Sequence, residues 1–168
     1  MRVRPREDSD LGALELVARA VRAANGYPVT MADDDFHGLL VSPDAIAAWV
    51  AVADDTIVGQ VSLHSRSSPE VNAFITDQLG LSEHQLGFVA RLIVDPSTQR
   101  MGIARALLRT AEQAAVSQGL TPILDVVDVF LPAIALYEQQ GWKQMGTVRI
   151  DLSNGTTITE RIYVSSAR

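Results

Sequence analysis

Apolar positions along the chain fall into short runs and into stripes of helical spacing. From Phe88 to Val94 every position is apolar except Arg91, the pattern of a strand buried on both faces. Asp95-Pro96-Ser97 ends it, because proline offers no ladder donor and short polar side chains favour turns. From Ala104 the apolar positions recur at Leu107, Leu108, Ala111 and Ala115, which predicts a helix with one buried face. Pro122 to Val129 reads as a second buried strand, and Pro132 opens the helix after it.

The rest of the chain supplies a frame for this centre. Arg2 to Pro5 is a short strand, and Asp8 and Ser9 cap a helix with Leu11, Leu14, Ala18 and Val21 on one side, ending near Asn25-Gly26. Tyr27 to Ser42 is irregular, and Pro43 opens a short helical turn. Trp49–Ala53 and Thr56–His64 form a hairpin turned by Asp54-Asp55. Ser68-Pro69 starts a helix carrying Val71, Phe74, Ile75 and Leu79 on one face, with Gly80 as its stop. A final hairpin joins Gln144–Leu152 to Thr156–Val164 through Asn154-Gly155. The order is β, α, short α, β, β, α, β, α, β, α, β, β, an α/β arrangement.

Composition narrows the classes. At 168 residues the chain suits one domain, 1–168, burying roughly 70% of its unfolded surface. A net charge of -6 argues against nucleic acid or an anionic membrane as partner. The longest apolar run, Ala45 to Ala53, is too short to span a bilayer. No cysteine is present, so disulfides, thiolate metal sites and a cysteine nucleophile are excluded. No signal-peptide core follows Arg2, Arg4 and Arg6, and the cytoplasm is the expected compartment. His37 and His64 stand alone in spacing, and no metal is expected.

Chemistry concentrates between the central strand and its helix, in Gln99-Arg100-Met101-Gly102-Ile103-Ala104. The first turn of a helix leaves N–H groups without internal partners, and the macrodipole adds positive charge there. Gly102 has no Cβ, so an anion can approach the backbone, and Arg100 and Arg105 add charge at the rim. A phosphate or pyrophosphate suits such a loop. The same pattern is also ordinary strand–turn–helix connectivity, and neither GxGxxG nor GxxxxGK[ST] occurs.

The loop Gln99-x-x-Gly102-x-Ala104, preceded by Leu-Ile-Val-Asp-Pro, resembles the acyl-CoA pyrophosphate loop of the GNAT (GCN5-related) N-acetyltransferase superfamily. A second block, Pro132 to Trp142 with Ala133-x-x-x-Tyr137 and a terminal Gly-Trp, is similar to the family's later helix. The resemblance covers Trp49 to Trp142 and implies a twisted mixed sheet of seven strands with helices on both faces. The helix between Ser68 and Gly80 then reads as an insertion within 66–85. The two strands Phe88–Val94 and Ile123–Val129 are expected to splay and take the pantetheine arm of acetyl-CoA. Backbone groups of Leu92, Ile93 and Val94 would pair with that arm as an added strand does. Gln99, Arg100, Met101, Gly102, Ile103, Ala104 and Arg105 would hold the pyrophosphate.

The implied reaction is acetyl transfer from acetyl-CoA to an amine of a small molecule, peptide or protein, by direct attack in a ternary complex. A backbone N–H near Leu92 would polarise the thioester carbonyl, and Tyr137, in the family position, would protonate the leaving sulfur. A phenol near pKa 10 against a thiol near 8.5 makes that donation favourable. Read from its residues alone, without the resemblance, Tyr137 is a core aromatic on an amphipathic helix with its hydroxyl at the surface. Two departures stand out. Phe130 lies seven residues before Tyr137, where many members place an asparagine that seats the pantetheine arm, and Phe88 occupies the position of a glutamate base.

Glu70, Glu83, His84, Asp125 and Asp128 are therefore the base candidates, with Glu83 and His84 the best placed, just upstream of the central strand. Asp33, Asp34 and Asp35 lie where this fold overhangs the acceptor cleft and would favour a cationic amine, unless they are a solvated loop. Arg91 needs a carboxylate, and Asp125 or Asp128 could supply it. The family often pairs through its last strands, which is where a homodimer would form. A non-catalytic acyl-CoA-binding domain and a phosphate-binding α/β domain are the competing readings.

Overall fold

The computed structural model describes residues 1–29, 35–98 and 101–167. The strands are β1 (Arg2–Pro5), β2 (Ala45–Ala53), β3 (Thr56–His64), β4 (Leu86–Val94), β5 (Thr121–Val127), β6 (Lys143–Asp151) and β7 (Thr157–Val164). The helices are α1 (Leu11–Asn25), α2 (Phe36–Leu40), α3 (Pro69–Leu79), α4 (Ile103–Ser117) and α5 (Leu131–Gln139). One mixed seven-stranded sheet has the order β1-β2-β3-β4-β5-β7-β6. The β4–β5 pair is parallel, while β1–β2, β5–β7 and β6–β7 are antiparallel.

The chain packs as two compact units. The first takes Met1–Leu63 and Arg91–Ala111, and the second takes His64–Ala90 with the chain from Glu112 on. In the first, α1 presents Leu14, Val17, Ala18 and Val21, the i, i+3, i+4, i+7 stripe of one buried face. Phe36, Leu39 and Leu40 of α2, Val50 and Val52 of β2 and Ile93 of β4 complete that core. Gly26, at φ +78°, closes α1 in the left-handed conformation that glycine tolerates best. The helix start differs from the sequence expectation. Asp8–Asp10 is a 3-10 turn, and Asp10 rather than Asp8 or Ser9 anchors it. Both Asp10 oxygens accept from the Arg4 guanidinium, at 2.7 and 2.8 Å, and one also accepts the Glu7 N–H at 2.8 Å.

Two other expectations are corrected here. The short helix is Phe36–Leu40, inside the stretch read as irregular, because Asp35 caps it by accepting the Gly38 N–H at 2.8 Å. Pro43 sits in a turn, and β2 begins at Ala45 rather than Trp49. The Asp54-Asp55 hairpin turn is as read, with φ of +46° and +58° as a tight primed turn requires.

In the second unit α3 covers the sheet. Ser68 caps it, accepting the Val71 N–H at 3.3 Å, and Gly80 at φ +64° ends it. Val71 and Ile75 join Leu86, Phe88, Ile123 and Ile162 in a buried cluster. Phe74 lies against Gly146, where a Cβ would come within 2.6 Å of its ring. That glycine follows a register shift in β6 between Gln144 and Gly146.

Candidate active site

The backbone of the central strand turns unusual where donor chemistry is expected. Arg91 on β4 has φ +55°, a left-handed conformation uncommon for a residue with a Cβ. Ile93 is buried, whereas Leu92 and Val94 are half-buried and so are not wholly the core residues expected. After β4, Asp95 builds the turn: its Oδ1 accepts the Ser97 N–H and hydroxyl at 2.8 and 2.7 Å. Its own N–H donates to Val58 O at 2.8 Å, tying the turn to β3.

Gln99 and Arg100 lie outside the described residues. Beyond them, Met101 and Gly102 are exposed, Ile103 is buried, Ala104 is half-buried and Arg105 is exposed. Gly102 has φ +75°, and its carbonyl accepts the Ala106 N–H at 3.0 Å, so it is the residue that opens α4. The amides of Ile103, Ala104 and Arg105 have no acceptor within the helix, as in any first turn. A Cβ on Gly102 would meet none of the described residues within 4 Å. Among the described residues the space at this backbone is open, and an anion such as a pyrophosphate fits it.

The second unit holds the later candidates. The β4–β5 ladder comprises Leu86↔Thr121, Gly87↔Pro122 and Phe88↔Ile123 and goes no further. Asp125 follows on β5, paired in register with Ile162 of β7. It is half-buried, and its Oδ1 accepts the Ser67 hydroxyl at 2.8 Å. Ser67 is itself fixed, its N–H donating to Asn72 Oδ1 at 3.0 Å. Glu160 of β7 is buried on the same strand pair, opposite Val127. Sequence reading singled out neither Ser67 nor Glu160. Phe130 stands at the N-cap position of α5, with its carbonyl accepting from Ala133 and Ile134 at 3.1 Å.

Tyr137 is buried in α5 and packs on Tyr163 of β7, ring centroids 6.2 Å apart at 52°. The Tyr163 hydroxyl donates to Glu138 Oε1 at 2.9 Å. Burial first, and then that bond, push the Tyr163 phenol above its usual pKa. Tyr163 therefore stays neutral and holds the aromatic pair in place.

Glu83 and His84 are exposed on a 3-10 turn before β4, where His84 Nε2 lies 3.2 Å from Ser82 Oγ. Glu70 is exposed in the first turn of α3. Asp33 and Asp34 lie outside the described residues, and Asp35 is the cap of α2. The expected carboxylate partner of Arg91 is not found among the described residues, and its buried Nε has no hydrogen-bond partner. On β3, Gln60, Ser62 and His64 are polar yet buried. Arg6 reaches Gln60 Oε1 at 3.1 Å and Leu40 O at 2.6 Å, which compensates part of that polar stripe.

Residues 14–142 match the model of the Acetyltransferase (GNAT) family. N-acetyltransferase 8 of Homo sapiens is 37% identical over 99 residues, covering 58% of this chain and 39% of that protein. The chain thus spans about two-fifths of the length of the curated relatives it matches. Among solved structures, the ribosomal-protein-alanine N-acetyltransferase of Brucella melitensis superposes with a TM-score of 0.73 at 18% identity, over 98% of this chain and 99% of that one. The NAA60 of Arabidopsis thaliana, solved in complex with acetyl-CoA, gives 0.72 at 21% identity, over 98% and 97%. At such identities these structures establish the fold.

Proposed function

Because the chain belongs to the acetyltransferase (GNAT) family, we propose that it transfers an acetyl group from acetyl-CoA to an amine. The family match over residues 14–142 carries this reading. The segment from Leu92 to Arg105 supports it as the place where the donor is held. The Ile103, Ala104 and Arg105 amides at the start of α4 receive the pyrophosphate, assisted by the α4 dipole. Strand β4 offers its backbone beside Leu92, Ile93 and Val94 to the pantetheine arm, and the Leu92 N–H, just past Arg91, polarises the thioester carbonyl. Gln99 and Arg100 belong to the same donor loop in this reading, and Asp33 and Asp34 to the acceptor side.

Proton management falls to two residues. Tyr137 donates to the departing sulfur, its ring held by Tyr163. Asp125 is the carboxylate we assign to the acceptor's ammonium group, taking one proton from it so that the neutral nitrogen attacks. Its support is placement: it is half-buried and positioned by Ser67, whereas Glu83, His84 and Glu70 are exposed. Phe130 replaces a polar contact to the pantetheine arm with apolar packing. The test compares Asp125→Asn with Glu83→Gln and His84→Gln in acetyl transfer to one amine across pH. Loss of about a hundredfold or more confined to Asp125→Asn is the expected result. Loss confined to Glu83→Gln or His84→Gln would move the base to that residue.

A further inference from the structure

Asp125 stands on an apolar face. Ile123, two residues before it on β5, and Ile162, its partner in register on β7, point to the same side of the sheet. Both isoleucines belong to the buried cluster that Val71 and Ile75 of α3 form with Leu86 and Phe88 of β4. A carboxylate among such neighbours costs stability, and proteins keep such departures where they serve function. What holds Asp125 comes from the start of α3. Its Oδ1 accepts the Ser67 hydroxyl at 2.8 Å. Ser67 is fixed in turn, because its N–H donates to Asn72 Oδ1 at 3.0 Å. Asn72 is 6% exposed, and its own N–H donates to Ser68 O at 2.9 Å, the first hydrogen bond of α3. A hydrogen-bonded path thus runs from a buried residue of α3 through Ser67 to the carboxylate.

We infer that Ser67 is a positioning residue for acetyl transfer, and that Asn72 on α3 holds it in place. This rests on the reading of Asp125 as the group that takes the acceptor's proton. A proton passes over hydrogen-bond distance and along one direction, so a carboxylate free to change rotamer serves poorly. The bond from Ser67 restricts Asp125 to one orientation. A neutral hydroxyl does so without cancelling the charge that draws an ammonium group. A lysine or arginine at position 67 would orient the carboxylate too, but it would compete with the amine for it. The helix between Ser68 and Gly80 then has a part in the reaction, as the fixed end of the path. If these bonds served the fold alone, their loss would lower stability without depending on what stands at position 125.

The test is a double-mutant cycle on the full chain, with acetyl-CoA and an amine that the wild type acetylates, drawn from polyamines, amino acids and N-terminal peptides. Ser67→Ala is expected to lower kcat roughly tenfold, with acetyl-CoA affinity unchanged. In the Asp125→Asn background the same substitution is expected to change kcat by less than about twofold, because no base is left to orient. Ser67→Thr keeps the hydroxyl and is expected to restore most of the rate. Asn72→Ala is expected to repeat the alanine pattern at position 67. Thermal unfolding checks that this buried substitution folds, and Ser67→Ala decides if it does not. A rate unchanged in Ser67→Ala, a loss that persists in full beside Asp125→Asn, or a threonine variant as slow as alanine would each overturn the inference while leaving Asp125 as the base. Full activity in Asp125→Asn would instead contradict the base assignment, and this inference with it.

Discussion

A Cβ built on Gly59 of β3 would stand 2.6 Å from the carbonyl oxygen of Ile93 on β4, and 3.2 and 3.3 Å from side-chain atoms of Val94 and Leu107. The donor strand thus lies against a neighbour that has room only for hydrogen. Because the nearest atom is backbone, no rotamer change relieves the overlap. Gly59→Ala is expected to destabilise the protein by about 2 kcal/mol, as overpacking does, and to weaken acetyl-CoA binding by displacing Ile93. Urea unfolding and calorimetry with acetyl-CoA check the two effects. An unshifted midpoint would show that β4 moves freely.

Tyr137 rests on Tyr163, which is anchored through Glu138. Tyr137→Phe keeps the ring contact and removes the proton donor. Turnover is expected to fall by about a hundredfold with acetyl-CoA affinity unchanged, measured by steady-state kinetics under conditions where chemistry limits the rate. Tyr163→Phe is expected to cost about 1 kcal/mol of stability through the lost hydrogen bond, and thermal unfolding reads it directly.

At Gly102 space and strain act differently. A Cβ meets none of the described residues within 4 Å, but φ is +75°. Gly102→Ala is expected to lower stability by about 1 kcal/mol. Gly102→Glu adds a negative charge where the pyrophosphate is assigned, and acetyl-CoA affinity is expected to fall at least tenfold beyond the alanine variant. Equal affinities for the two variants would remove the anion from the α4 start.

Asp10 supplies a pH dependence with a defined sign. Its bond with Arg4 is the main cause holding its carboxyl below the usual 3.8, with the Glu7 N–H adding to it. A depressed folded value means that the unfolded chain binds the proton first as pH falls. The contribution is fully present above 3.8 and is lost as pH drops through the lower folded value. Asp10→Asn is expected to destabilise the protein at neutral pH and to flatten the acid limb of its stability curve. Urea midpoints measured from neutral pH downward test both.

Local physics made most of the frame legible. Proline and serine before Val71, glycine after Leu79 and the paired aspartates at the hairpin named their elements because capping and turn chemistry act over a few residues. The start of α4 was legible for the same reason, and family likeness added Tyr137. Arg91 gave no local sign of its left-handed conformation, since arginine is not a residue that favours positive φ. Burial of the polar Gln60, Ser62 and His64 on β3 was not legible either, because it depends on what the fold packs over that strand. Asp125 and Ser67 are far apart in sequence, and only the fold brings them within 2.8 Å. Phe36–Leu40 depended on one capping bond, from Gly38 to Asp35, inside a stretch too short for periodicity to register.

The most direct measurement is thiol release from acetyl-CoA by the wild-type chain over a panel of amines including free amino acids, polyamines and N-terminal peptides, with Tyr137→Phe in parallel. The expected result is release that depends on the acceptor, yields the N-acetylated amine and falls sharply in the variant. Acetyl-CoA bound in calorimetry but never cleaved with any amine would contradict an acetyltransferase and leave an acyl-CoA-binding domain in its place.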